Sequence, residues 1–201
     1  GEELDLGKVR FRDFRREMDM RAGTLTRSFV WQTAAGKALR LSFLRFLDME
    51  HRERAYQRVT LEALNFSGAA EFRSGLSFDV NHEGYRKCYW QAPRVETGRG
   101  RLMLQAETTR SRQAVFAGAL VSLPEDAAAH TEGKTARLCA RLPLEQGRPV
   151  SVDKRAVILF TGQAGDALWA QGLQAMAESE KVSLDAALEA HRMYWAAYWR
   201  T

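Results

Sequence analysis

Through the first two thirds of the chain, apolar and polar residues alternate with a period of two. Over 24–33, Leu25, Phe29 and Trp31 fall on one face, and Thr24, Thr26 and Ser28 on the other. Over 38–47, Leu39, Leu41, Phe43 and Leu47 repeat the pattern. Ala34-Ala35-Gly36-Lys37 between them has turn composition, so the pair predicts a β-hairpin with Gly36 at its permissive position. Residues 48–54 are a charged interruption with room for one helical turn. Alternation resumes over 56–64, where Val59, Leu61 and Ala63 share a face, and Asn65-Phe66-Ser67-Gly68 is turn chemistry. Further strands are predicted over 70–78, 85–92, 101–109, 112–123, 135–142 and 150–161. Strands at this spacing, with no helix between them, predict antiparallel sheets packed as a sandwich, each burying its apolar face against the other.

After Thr161 the period changes. Leu168, Trp169, Leu173 and Met176 fall at helical spacing within 166–178. Ser183 is placed to cap a second helix, in which Leu184, Leu188, His191, Trp195 and Trp199 recur at steps of three or four along one face. That helix ends in Tyr194-Trp195-Ala196-Ala197-Tyr198-Trp199. Large rings need a surface to bury against, so the helix is expected either to fold back on the sandwich or to lead into a further domain. The N-terminus is charged and equally abrupt, and the chain reads as a segment of a larger protein. The division expected is a partial β-sandwich domain over 1–162 and a helical linker over 163–201.

The 201 residues are 45% hydrophobic, 27% charged and 10% aromatic, a globular composition that excludes collagen-like and low-complexity classes. No apolar run is long enough for a transmembrane helix, and Gly1-Glu2-Glu3-Leu4-Asp5 is no signal peptide, so no membrane partner and a cytoplasmic location are expected. Cys88 and Cys139 are too few for a disulfide framework and are expected as reduced thiols, with one bridge left open. The net charge is +5 and the pI about 9.5. The charge is scattered, however. The densest stretch, Arg10 to Arg16, is followed at once by Glu17 and Asp19, so a solvated surface rather than a nucleic-acid partner is expected.

The residues offer little chemistry of their own. Gly98-Arg99-Gly100 lies between strands and reads as a hairpin loop, not a phosphate cradle. His51, His82, His130 and His191 are far apart in sequence, without metal-ligand spacing. Cys88 sits in an apolar-aromatic strand and reads as a packed thiol. Asn65-Phe66-Ser67 fits a glycosylation sequon but reads as a turn. Asp48, Glu50 and Glu53 cluster in one connection and Asp79 lies in another, with nothing to set an acid opposite a base.

Several strings nevertheless accumulate in one order. Asp19-Met20-Arg21-Ala22-Gly23-Thr24-Leu25-Thr26-Arg27 resembles the "LDMRxGxLxR" segment of glycoside hydrolase family 65. Arg45, Phe46, Asp48 and His51 resemble its "RFxSxxDxH" segment, with Leu47 where the family has serine. Asn65-Phe66-Ser67-Gly68 resembles "LNxSG". Ser74, Leu76, Asp79, Val80 and Asn81 resemble "SxLDGxVxN", interrupted by Ser77-Phe78. His191, Trp195 and Trp199 resemble the "HxxxWxxxW" helix that runs toward the catalytic barrel. Residues 85–150 match only in strand rhythm.

The resemblance implies a mainly β fold: an antiparallel β-sandwich of the galactose mutarotase-like supersandwich type, followed by two C-terminal linker helices. It implies a non-catalytic segment of an inverting α-glucoside phosphorylase or hydrolase acting on a disaccharide such as maltose, kojibiose or trehalose. The general acid and the phosphate site would lie in an (α/α)6 barrel. No catalytic, cofactor-binding or metal residue is therefore assigned in this chain; the segment alone is not expected to be active, and no cofactor is implied beyond inorganic phosphate as a co-substrate of a phosphorylase. The implied partners are that barrel, the disaccharide through the whole protein, and a second copy in a homodimer. Two alternatives remain: a free-standing carbohydrate-binding module using Tyr85, Tyr89 and Trp90, and a mutarotase-like enzyme complete in this chain.

Overall fold

The computed structural model describes residues 2–162 and 164–200. Among the described residues, thirteen strands precede two helices: β1 (Arg10–Asp19), β2 (Thr24–Gln32), β3 (Ala38–Leu47), β4 (Arg54–Ala63), β5 (Gly68–Ser77), β6 (Asn81–His82), β7 (Lys87–Cys88), β8 (Trp90–Gly98), β9 (Arg101–Thr108), β10 (Ala114–Val121), β11 (Ala128–Glu132), β12 (Thr135–Leu144), β13 (Val150–Thr161), α1 (Asp166–Glu180) and α2 (Leu184–Tyr198). An eight-stranded sheet runs β1-β2-β3-β4-β13-β10-β9-β8, and a three-stranded sheet runs β11-β12-β5. Every pairing is antiparallel. The predicted β-sandwich with two trailing helices is the observed architecture.

One core lies between the sheets. Leu39, Leu41, Val59, Leu61, Leu102, Leu104 and Val152 of the large sheet meet Leu138, Leu142 and Leu144 of the small one. Each such side chain contributes about 1.5–3 kcal/mol on burial. Lys154 of β13 also crosses the layers, its Nζ donating to the Gly75 carbonyl at 2.8 Å, and burial holds its pKa below the ordinary lysine value.

The helices cover the outer face of the large sheet. Leu168, Trp169 and Met176 of α1 pack on Phe116, Met103 and Val157. This approach is close because two glycines face it: a Cβ on Gly172 would stand 2.3 Å from the Phe116 ring, and one on Gly118 would stand 2.3 Å from Met176 Sδ. Arg155 reaches across to accept the end of α1, donating to the carbonyls of Ser179, Glu180 and Val182. That satisfies carbonyls a helix terminus leaves without partners. Ser183 caps α2 as predicted, its Oγ accepting from Ala186 N at 3.1 Å. Leu184, Ala187 and Leu188 then pack on Phe46 and Tyr56.

Several boundaries differ from the sequence expectation. β1 carries no two-residue alternation because its pairing with β2 shifts between Arg12 and Arg15, with Asp13 at φ +56°. The irregularity puts Phe11 and Phe14, three residues apart, both against Phe29 at 6.1 and 6.2 Å. β11 is exposed throughout and so lacks an apolar signal. The strand expected over 85–92 is broken into β7 and the start of β8, whose pairing with β9 shifts between Gln91 and Arg94. Leu47, expected on the apolar face, is exposed at the end of β3. Residues 48–53 form a hydrogen-bonded turn instead of a helical one: Asp48 Oδ1 accepts from the backbone of Glu50 and His51 at 3.0 and 2.9 Å.

Candidate functional site

Three segments far apart in sequence meet where α2 crosses the large sheet: the β1–β2 turn, the β3–β4 turn and the second half of α2. In the first turn Asp19 Oδ1 accepts from Arg21 N and Ala22 N at 2.9 and 3.0 Å. Gly23 follows at φ +63°, a region glycine enters without steric cost. The absence of a side chain there leaves space for Trp195, since a Cβ on Gly23 would stand 2.0 Å from its Nε1. His191 Nε2 bonds the Gly23 carbonyl at 3.0 Å, and Trp199 Nε1 donates to the Met20 carbonyl at 3.1 Å. One helical face, at i, i+4 and i+8, therefore grips one turn.

The same histidine joins the second turn. Its ring lies 4.9 Å from Phe46, which stacks on Tyr56 at 4.7 Å. Tyr56 donates to Asp48 Oδ2 at 3.3 Å, and burial, then the Asp48 charge, raises the phenol's pKa. Further along the sheet, Arg58 takes both oxygens of Asp153 at 2.6 and 2.8 Å and reaches Asp185, in the first turn of α2, at 2.7 Å. The paired carboxylates hold its guanidinium well above the usual range, and Arg58 holds Asp185 below the ordinary carboxylate value. Between the β3–β4 turn and α2 lies a cleft of about 170 Å³. It is lined from the turn by Asp48, Glu50, His51 and Arg54, and from the helix by Ala190, His191 and Tyr194. His51 and His191 thus share a cleft, although 140 positions separate them. Sequence spacing could not bring them together; only the docking of α2 does.

The other positions singled out by sequence have plain structural roles. Asn65 ties the hairpin together, Oδ1 accepting from Ala38 N at 2.8 Å and Nδ2 donating to the Gly36 carbonyl at 2.9 Å. Ser67 Oγ accepts from Gln146 N at 3.0 Å. Gly98–Gly100 is the β8–β9 hairpin turn, with Gly100 at φ +63°. His82 and His130 lie on exposed β6 and β11, away from the cleft residues. The cysteines are both free. Burial opposes ionisation of the Cys88 thiol, but the Trp90 backbone and the Lys134 ammonium, 3.2 Å from Sγ, outweigh it and lower its pKa. Tyr85 and Tyr89 are set edge to face at 86°, while Trp90 packs on Phe78 at 5.0 Å, so the three rings form no flat platform. Among the described residues, no group of three or more His, Cys, Asp or Glu is placed to hold a metal, and no helix is long and apolar enough to cross a membrane.

The chain belongs to glycosyl hydrolase family 65, matching the family's N-terminal domain over residues 1–198. It is 31% identical over 84 residues to the alpha,alpha-trehalose phosphorylase of Thermoanaerobacter brockii, and 26% identical over 84 residues to the kojibiose phosphorylase of Halothermothrix orenii. Those stretches cover 41% and 42% of this chain and 11% of each relative. A solved structure of a candidate kojibiose phosphorylase from the human microbiome superposes with a TM-score of 0.88 at 24% identity, over 96% of this chain and 26% of that one. The chain therefore spans only a small part of the length of the relatives it matches.

Proposed function

We propose that this chain is the non-catalytic N-terminal sandwich of a larger inverting α-glucoside phosphorylase or hydrolase acting on a disaccharide such as maltose, kojibiose or trehalose. In that reaction a carboxylic acid protonates the leaving oxygen while phosphate or an activated water attacks the opposite face of the sugar. Both groups would come from a separate helical barrel. The sandwich would seat that barrel through α2, border the substrate entrance and support a homodimer.

The observation that carries the reading is the apolar surface around the end of α2. Met193, Tyr198 and Trp199 are exposed there, as are Met20 in the β1–β2 turn held by Trp199 and Met18 near the end of β1. Exposed apolar side chains gathered around one helix end favour a docking face. One carboxylate of the nearby cleft, Asp48, is already committed to two backbone N–H groups and the Tyr56 hydroxyl. The carbohydrate-module alternative is disfavoured by the perpendicular rings of Tyr85 and Tyr89, which offer a sugar no coplanar surface.

Placing Met20→Glu and Tyr198→Glu in the longer protein tests the docking face. The expected result is loosened attachment, read as faster proteolysis between sandwich and barrel, with activity reduced. Unchanged proteolysis and activity would contradict the docking role.

A further inference from the structure

We infer that the inner face of the large sheet over β13 and β1–β4 is an interface for an acidic β-strand, which adds to the free edge of β5 and sets carboxylates against Arg45, Arg27 and Lys154. The small sheet leaves the room. It has three strands against eight, and they sit to one side: β11 and β12 lie over β8 and β9, and β5 over β9 and β10. β5 pairs with β12 along its whole length on one side and with no described strand on the other. A further strand at that edge would continue the progression across β13 and β4. The inner residues Leu138, Leu142 and Leu144 of β12 are buried, whereas Phe72 and Leu76 of β5 are only partly so. Farther out on the large sheet, Leu47, Ile158 and Phe160 fall on the inner face by alternation and are exposed. An unpaired edge beside uncovered apolar positions is a template for strand addition.

Charge selects the strand. Arg16 lies directly opposite Arg27 in the β1–β2 pairing, and Arg45 is two positions along β3 from Phe43, the residue opposite Arg27. Arg45 in turn is opposite Gln57, and Gln57 opposite Lys154. Like charges set side by side on one face of a sheet are unfavourable. Among the described residues, none of these four cations has an ion-pair partner. Arg27 lies over the Phe43 ring at 4.4 Å, and burial, then the charges of Arg45 and Arg16, lower its pKa. Lys154 has the Gly75 carbonyl at 2.8 Å. The small-sheet residues that face the inner layer, such as Ala70, Phe72 and Leu76 of β5 and Leu138 of β12, are apolar. Glu3 and Asp5, which line a cavity of about 630 Å³ with Arg27, already pair with Arg73 at 3.5 Å and Lys8 at 3.0 Å. A strand bearing carboxylates supplies what the face lacks. A basic strand would add repulsion, and a wholly apolar one would cover the cations unpaired. This face is opposite the one on which α2 packs, so the interface is separate from the docking surface at the end of α2.

The test is a titration of the 201-residue chain with a peptide of alternating glutamate and valine, matched in length to β5, and with its lysine–valine analogue, followed through amide and arginine side-chain resonances. Saturable shifts along β5 and at Arg45 are expected with the glutamate peptide alone, with slowed hydrogen exchange at the β5 amides that point away from β12. Arg45 is exposed, so Arg45→Glu leaves the fold in place and is expected to weaken binding at least about tenfold. Arg192→Glu, at an exposed position of α2, makes the same change in net charge and is expected to leave binding unaltered. Absence of saturable shifts with the glutamate peptide, equal binding of both peptides, or equal loss in the two variants overturns the inference. Self-association abolished by Arg45→Glu overturns it in favour of a second copy on this face. Inorganic phosphate shifting Arg27 and Arg45 with no change along β5 overturns it in favour of a small-anion site. The measurement involves neither α2 nor turnover, so its failure is separate from any failure of the proposed function.

Discussion

Gly23 sits in the left-handed region directly beneath the Trp195 indole, and both facts forbid a side chain there. Gly23→Ala is expected to destabilise the protein by about 2–3 kcal/mol, combining the backbone cost with displacement of Trp195. Urea unfolding checks this, and the loss should fall to about 1–2 kcal/mol when Trp195→Ala is already present, leaving the backbone cost alone. The glycine was visible in sequence as part of a recognisable string, but its reason was not, because the ring that requires it lies 172 positions away. Asn65 is a mixed case: its place in a turn was legible from its neighbours, but its partners Ala38 and Gly36, 27 and 29 positions back, were not. His191 was visible as one step of a helical stripe and of a recognisable string, but its bond to the Gly23 carbonyl was not, because 168 positions separate the two.

At the scale of elements, α2 is held at its start by charge and further along by rings. Arg58 links β4, β13 and α2 through Asp153 and Asp185. Arg58→Met leaves the partly buried Asp153 without its paired donors and is expected to cost about 2 kcal/mol, measured by urea unfolding. Asp185 is mostly exposed, so Asp185→Asn should cost less than about 1 kcal/mol at neutral pH. Folding lowers the Asp185 pKa, so its contribution is full above the unfolded value of about 3.9 and vanishes as pH falls through the folded one. The stability gap between wild type and Asp185→Asn should therefore close below that window; a gap that persists at lower pH would contradict the ion-pair role. The hairpin β2–β3 and both helices were legible because each keeps one unbroken period. β1 and the 85–92 segment were not, because pairing shifts break the period where Phe11 and Phe14 turn to one face and where β8 slips on β9.

For the whole molecule, the sheet order depends on one long-range choice: β13 enters between β4 and β10, which joins the two halves of the large sheet and carries the chain out to the helices. Local pattern predicts that Val150–Thr161 is a strand but not where it inserts. The strings that carried the family resemblance gain a physical meaning here. Three of them, around Gly23, Phe46 and His191, are one contact cluster that sets the angle at which α2 leaves the sandwich. The proposed division of labour follows from that geometry, with a scaffold that aims a helix and a reaction performed elsewhere. The direct test is to incubate the purified 201-residue chain with kojibiose, maltose or trehalose, with and without phosphate, and to measure glucose and glucose 1-phosphate. No release above the uncatalysed background is expected from folded protein. Turnover by this chain alone, abolished by a substitution within it, would contradict the account.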